Sequence, residues 1–130
     1  MTNKYVTAAL TLVAGIGIGV AAVQGLHAQA KPKAYLVTEI EVLDAAAQAA
    51  YAPAIQAVIK AAGGRNFLTA GGKTVAFVGE APKVVAITEW DSLDQAQAYM
   101  NSAARRNLTQ QRDKAQRQIR AYAVESTASQ

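Results

Sequence analysis

The chain predicts an α+β domain in the order strand, helix, two strands, helix, strand, the split β-α-β pattern. Three observations carry that reading. AYLVTEIEV (Ala34–Val42) and KVVAITEW (Lys83–Trp90) alternate and are rich in β-branched and aromatic residues, as half-buried strands are. Each is followed by a residue able to cap a helix, Asp44 in the first case and Asp91 or Ser92 in the second. Glycines at Gly63–Gly64 and Gly71–Gly72 then interrupt the chain where a helix should stop and a hairpin should turn.

The elements follow in order. Residues 1–5 form a head with one charge, Lys4, and Val6–Val23 is an uncharged run ending in QGLHAQA. A basic head, an apolar centre and an A-x-A end are the parts of a secretory signal peptide, so cleavage is expected after Ala30. The competing reading is a retained inner-membrane anchor: the run just reaches spanning length, and Gly15 and Gly19 have a small-xxx-small spacing. Its Ala, Gly and Thr content makes it weakly apolar, and no strong basic stop follows, which favours cleavage and a periplasmic or secreted protein. The cut removes Lys4, no acid, and the sole histidine, His27, leaving a chain from Lys31 with a net charge of +3 rather than +4.

The basic spacer Lys31–Lys33 leads into the first strand. The helix expected over Ala45 to about Ala62 carries a stripe at Ala50, Pro53/Ala54, Ala57/Val58 and Ala61, with a kink at Pro53. RNFLTA and TVAFVG read as strands on either side of GGK, followed by the strand Lys83–Trp90. The second helix, LDQAQAYMNS, runs on into a polar helical stretch, and Arg117–Ser126 is the last strand before a polar tail over 127–130. The whole is a ferredoxin-like domain over 34–126. Two helices cover one face of its four-stranded, antiparallel-type sheet. The other face is apolar and uncovered, which predicts a homodimer.

AYLVTEIEVLD, Tyr51, the GGR at Gly63–Arg65, VVAITEWDSLDQAQAYMNS and Arg112 resemble the domain-of-unknown-function 1330 family from about Ala34 to Glu125. The resemblance implies ferredoxin-like subunits paired into a dimeric α/β barrel. That superfamily includes small monooxygenases, muconolactone-type isomerases and chlorite-dismutase-like haem proteins, so it implies a fold and no single activity. The chain departs from the family at Asp91, where a proline is usual, and at Ala103–Arg105, where the family often has a proline, an acid and a tyrosine.

Composition narrows the chemistry. With no cysteine anywhere, and no histidine once the leader leaves, thiolate and imidazole catalysis are excluded, and no metal or cofactor is expected. GIGIG in the leader and GGKT at Gly71–Thr74 lack the strand–turn–helix setting of a phosphate loop. Arg105, Arg106, Arg112, Lys114, Arg117 and Arg120 form a basic run broken by Asp113, too weak at +3 overall for a nucleic-acid surface. The remaining acid–base candidates are Glu39 and Glu89. On neighbouring strands taken as parallel, both face the uncovered side, where they either share a proton in a partly dry cavity or form rim salt bridges. Tyr35, Arg65, Trp90 and Arg112 are candidate ligand contacts, each also readable as packing or an ion pair. Tyr51 and Tyr99 are expected to pack a helix with wet hydroxyls. Two functions stay open: a small-molecule binder with its cavity between subunits, and a cofactor-free monooxygenase- or isomerase-type enzyme.

Overall fold

The computed structural model describes residues 31–68 and 71–127. The expected leader, its cleavage site and His27 lie outside the described residues, as do residues 128–130 of the tail. Among the described residues no helix is long and apolar enough to cross a membrane.

Strand β1 spans Ala34–Val42, helix α1 Ala45–Ala61, β2 Arg65–Leu68, β3 Val84–Trp90, α2 Leu93–Met100, α3 Ala103–Arg106, α4 Thr109–Ala115 and β4 Gln116–Glu125. The strands form one sheet in the order β2-β3-β1-β4, with every neighbouring pair antiparallel. This is the expected ferredoxin-like α+β arrangement. The expected parallel pairing of β1 and β3 is corrected. The crossover through α1 lays β2 in the direction of β1, and the single reversal that follows turns β3 against both.

Local chemistry fixes the helix ends. The Asp44 side chain accepts the Ala47 N–H at 2.6 Å, and Ser92 accepts the Gln95 N–H at 3.2 Å. Helix α1 ends at a left-handed glycine, Gly63, with φ of 87°. Gln95 ties the two helices together, donating to the Ala62 carbonyl and accepting from the Asp91 N–H, both at 3.0 Å. Opposite Glu39 and Ile40 the β1–β4 register slips by one residue, so Ile119 forms a bulge.

Two further expectations are corrected. TVAFVG is not a strand: residues 71–83 carry no regular structure, and Val75, Phe77 and Val78 are 74%, 96% and 95% exposed. Strand propensity needs a ladder partner, and the outer edge of β3 is already taken by β2. The loop is instead tied across its base, where the Thr74 hydroxyl donates to the Pro82 carbonyl at 2.6 Å. The α1 stripe is met only in part. Ala50, Pro53, Ala57 and Ala61 are exposed, whereas Ala54 is half-buried and Val58 packs against the core beside buried Tyr51 and Ile59. With alanine on every side of the helix, small residues alone do not mark the inward face.

The core gathers Ala34, Leu36, Ile59, Trp90, Ala96 and Tyr99 between the sheet and the ends of α1 and α2. Trp90 is wholly buried, stacks on Tyr99 at 4.7 Å between ring centroids, and donates its indole N–H to Thr88 Oγ1 at 2.9 Å. Gly64 lies against it: a Cβ there would come within 2.6 Å of the indole and 2.8 Å of Ile59. Gly64→Ala is therefore expected to lower unfolding free energy by about 1–3 kcal/mol, as overpacking does. Urea denaturation followed by Trp90 fluorescence checks this, and an unchanged midpoint would show that the contact is loose.

Candidate functional site

By alternation along β1, Tyr35, Val37, Glu39 and Glu41 point to the face that no helix covers. Register places Glu89, Ile87 and Val85 of β3, and Val124, Tyr122 and Arg120 of β4, directly opposite the first three of them. Phe67 of β2 joins them, edge-on to Tyr35 with ring centroids 5.5 Å apart. The face is an apolar strip with an ionic cluster at each end.

At one end Glu89 accepts from Lys33 at 2.9 Å, from Arg65 at 2.8 and 3.0 Å, and from the Tyr35 hydroxyl at 3.3 Å. Arg65 also reaches Asp91 at 2.7 Å. The hydrogen bonds from Lys33 and Arg65 hold the Glu89 carboxyl down from its ordinary 4.5 to about 2. At the other end Glu39 accepts from Arg120 at 2.9 Å, and Glu41 pairs with Lys83 at 2.6 Å and with Arg117. Lys83 and Arg117 lower the Glu41 pKa in the same way.

The expected meeting of Glu39 and Glu89 does not occur. Glu39 lies opposite Val85, and Glu89 opposite Tyr35. The antiparallel register thus separates them by four positions, about 13 Å at strand rise. Neither is placed to share a proton with the other. Of the candidate ligand contacts, Tyr35 and Arg65 meet at Glu89. Trp90 lies in the core with one ring face on Tyr99 and offers no face for a ligand to stack on. Arg112 lies on α4, away from the sheet face, with its guanidinium on its neighbour Asp113 at 2.8 and 2.9 Å. Among the described residues no three His, Cys, Asp or Glu side chains gather to hold a metal.

A cavity lies on the other side of the sheet. Between α1 and strands β1, β3 and β4 is a cleft of about 490 Å³. Its origin is steric. Helix α1 presents Ala45, Ala49 and Ala52 to a floor of Leu36, Thr38, Ile40 and Ala86. A helix packed on a sheet normally fills that layer with branched side chains, and methyl groups do not reach across it. The β4 end of the cleft is polar, lined by Tyr51, Tyr99, Arg105, Gln116 and Gln118.

Among the described residues two amide oxygens in this lining have no hydrogen-bond partner, Gln48 Oε1 and Gln116 Oε1; Gln116 is only 4% exposed. A buried acceptor left unpaired costs about 1–3 kcal/mol, so each requires a donor. Tyr51 and Tyr99 pack their helices as expected, 4% and 5% exposed, and both line the cleft. Burial raises both phenols, Tyr99 to about 12, so at neutral pH both are uncharged. Arg105 donates to the Met100 carbonyl at 3.3 Å and to Gln118 Oε1 at 3.1 Å. The sequence reading missed this cleft. Its signal was the alanine set at Ala45, Ala49 and Ala52 flanking Gln48, one of several helix faces that alanine leaves equivalent.

The family model described as "Domain of unknown function (DUF1330)" matches residues 33–127. Among solved structures the fold is similar to RPA0582, a protein of unknown function from Rhodopseudomonas palustris. The identity is 16% and the TM-score 0.60, over 84% of this chain and 93% of that one. The methylated form of RPA0582 gives 16% identity and a TM-score of 0.55, over 82% and 90%. SnoaB, a cofactor-independent oxygenase from Streptomyces nogalater, gives 12% identity and a TM-score of 0.45, over 76% and 95%. No curated protein matches.

The ionic cluster on the open face has a pH signature. A carboxyl held below its ordinary value stabilises the fold above pH 4.5, and that contribution is lost as pH falls toward about 2. Melting temperature measured from pH 6 to 2 is expected to fall less steeply in Glu89→Gln than in the wild type. Parallel curves would show that the cluster does not hold Glu89.

Proposed function

The chain belongs to the DUF1330 family, and from that premise we propose that it is a homodimeric binding protein for a small organic molecule held in the cleft between α1 and the sheet. The observation that carries the reading is the cleft itself. Its volume of about 490 Å³ falls within the range of small-molecule sites, roughly 300–1,000 Å³. Its lining combines an apolar wall with polar side chains, among them Tyr51, Tyr99, Arg105 and Gln118, and two lining acceptors, Gln48 Oε1 and Gln116 Oε1, have no partner among the described residues. The proposed site is thus within one subunit rather than between two. Glu39 and Glu89 lie on the opposite side of the sheet, each engaged by cations, so the geometry favours binding over proton transfer by either.

The homodimer is supported by the open face. Phe67, Tyr122 and Val124 are exposed there, alongside Ile119, and the loop bearing Val75, Phe77 and Val78 adds further apolar surface. Exposed apolar side chains on one sheet face of a small domain call for a partner, and a second copy of the same face supplies one. Dimerisation on this side leaves the helix side, with its cleft, free.

Two measurements test the proposal. Thermal-shift screening of the full chain against small aromatic and lactone compounds is expected to yield binders that the double variant Ala49→Leu/Ala52→Leu no longer binds while remaining folded. Binding that survives the filled cleft would place the site elsewhere and overturn the reading. Sedimentation equilibrium is expected to return twice the mass of one chain, and Val37→Glu with Val124→Glu to return one. A wild-type monomer would contradict the dimer.

A further inference from the structure

We infer that the cleft is selective for organic anions, with Arg105 as the residue that receives the negative charge; this rests on the small-molecule reading above. Among the described residues the cleft lining contains no aspartate or glutamate, and Arg105 is its one charged side chain. Four of the six arginines, Arg65, Arg112, Arg117 and Arg120, have a carboxylate at ion-pair distance. Arg106 is exposed and bonded to the Asn101 carbonyl. Arg105 differs from all of them: it is half-buried, lines the cavity, and among the described residues its guanidinium meets only neutral groups, the Met100 carbonyl, the Gln118 amide and the Tyr99 hydroxyl.

The position of Arg105 is built. Ser102 caps α3 by accepting the Arg105 N–H at 3.2 Å, and Gln118 reaches it from the helix-facing side of β4. A guanidinium carries five donors; the Met100 carbonyl, Gln118 and the Tyr99 hydroxyl meet part of them, leaving others for a carboxylate or phenolate. The neighbouring phenols of Tyr51 and Tyr99 are uncharged hydrogen-bond donors that add no competing negative charge. The opposite wall of Leu36, Ile40, Ile55 and Ile59 accepts an apolar body. One cation beside an apolar wall, in a cavity whose described lining has no acid, selects a flat or compact organic monoanion over its neutral isostere, because an uncharged ligand leaves the guanidinium half desolvated and without a counter-charge.

The test compares 2-naphthoate with its neutral isostere 2-naphthamide by isothermal titration of the full chain. Wild type is expected to bind the carboxylate about tenfold or more tightly than the amide, as a charge-assisted pair does. In Arg105→Gln that ratio collapses to within about twofold of one, and Arg105→Lys retains part of it because a lysine keeps the charge and loses the fork. Equal or tighter binding of the amide to wild type overturns the inference while leaving the binding cleft standing. So does an unchanged ratio in Arg105→Gln. If neither compound binds wild type, the inference fails together with the small-molecule reading. Arg105→Lys and the wild-type ratio remain informative should Arg105→Gln not fold.

Discussion

Trp90 has to be covered from every side, and the rest of the molecule is arranged around that requirement. The indole ends β3 on the helix side of the sheet, where Tyr99 lies over it and Ile59 closes on Gly64 beside it. Gly64 can have no side chain because the ring is there, so the turn after α1 is pinned to the end of β3. Helix α2 begins immediately after Trp90 and is tied back to α1 by Gln95. One end of the helix–sheet layer is therefore closed by large, interlocking side chains. At the other end, α1 crosses the sheet on alanines, and the layer opens. The cleft is the consequence of tight packing at Trp90 and small residues about two to four turns earlier along the helix.

The two faces of the sheet divide the charges. On the open face Glu39, Glu41 and Glu89 are all engaged by cations, so that face presents local neutrality and an apolar centre, which suits a self-complementary contact. Across the sheet, the described lining of the cleft holds a cation and no acid. Alternation along β1 makes the division: Glu39 and Glu41 point one way, Thr38 and Ile40 the other. A one-residue slip in β1 would exchange the two environments, carrying carboxylates into the cleft and emptying the open face of its ion pairs.

Most of the fold is legible in the sequence, and the reasons differ by element. β1 spans Ala34–Val42 as its alternation indicates, because one side of the strand is packed and the other is not. Asp44, Ser92 and Gly63 act at the helix ends by local chemistry that needs no tertiary context. Other features depend on context. TVAFVG has the composition of a strand but no partner to pair with. The strand directions follow from the crossover, and they separate the two glutamates that a parallel pairing would have brought together. The candidate site was the least legible part. Alanine occurs on all faces of α1, so the inward face is set by Tyr51 and Ile59 rather than by a stripe. Arg105 stands at the head of a basic run that reads as a solvated surface, and only the fold turns its side chain to the cleft while Arg112 and Arg117 find carboxylates.

The proposed small-molecule site lies on the helix side of the sheet rather than on its open face. Nuclear Overhauser contacts between bound 2-naphthoate and methyl-labelled protein test this directly. Contacts from the naphthalene ring to the methyl groups of Ala49, Ala52 and Ile55 are the expected result. Contacts to Val37, Ile87 and Val124 instead would place the ligand on the open face and contradict it.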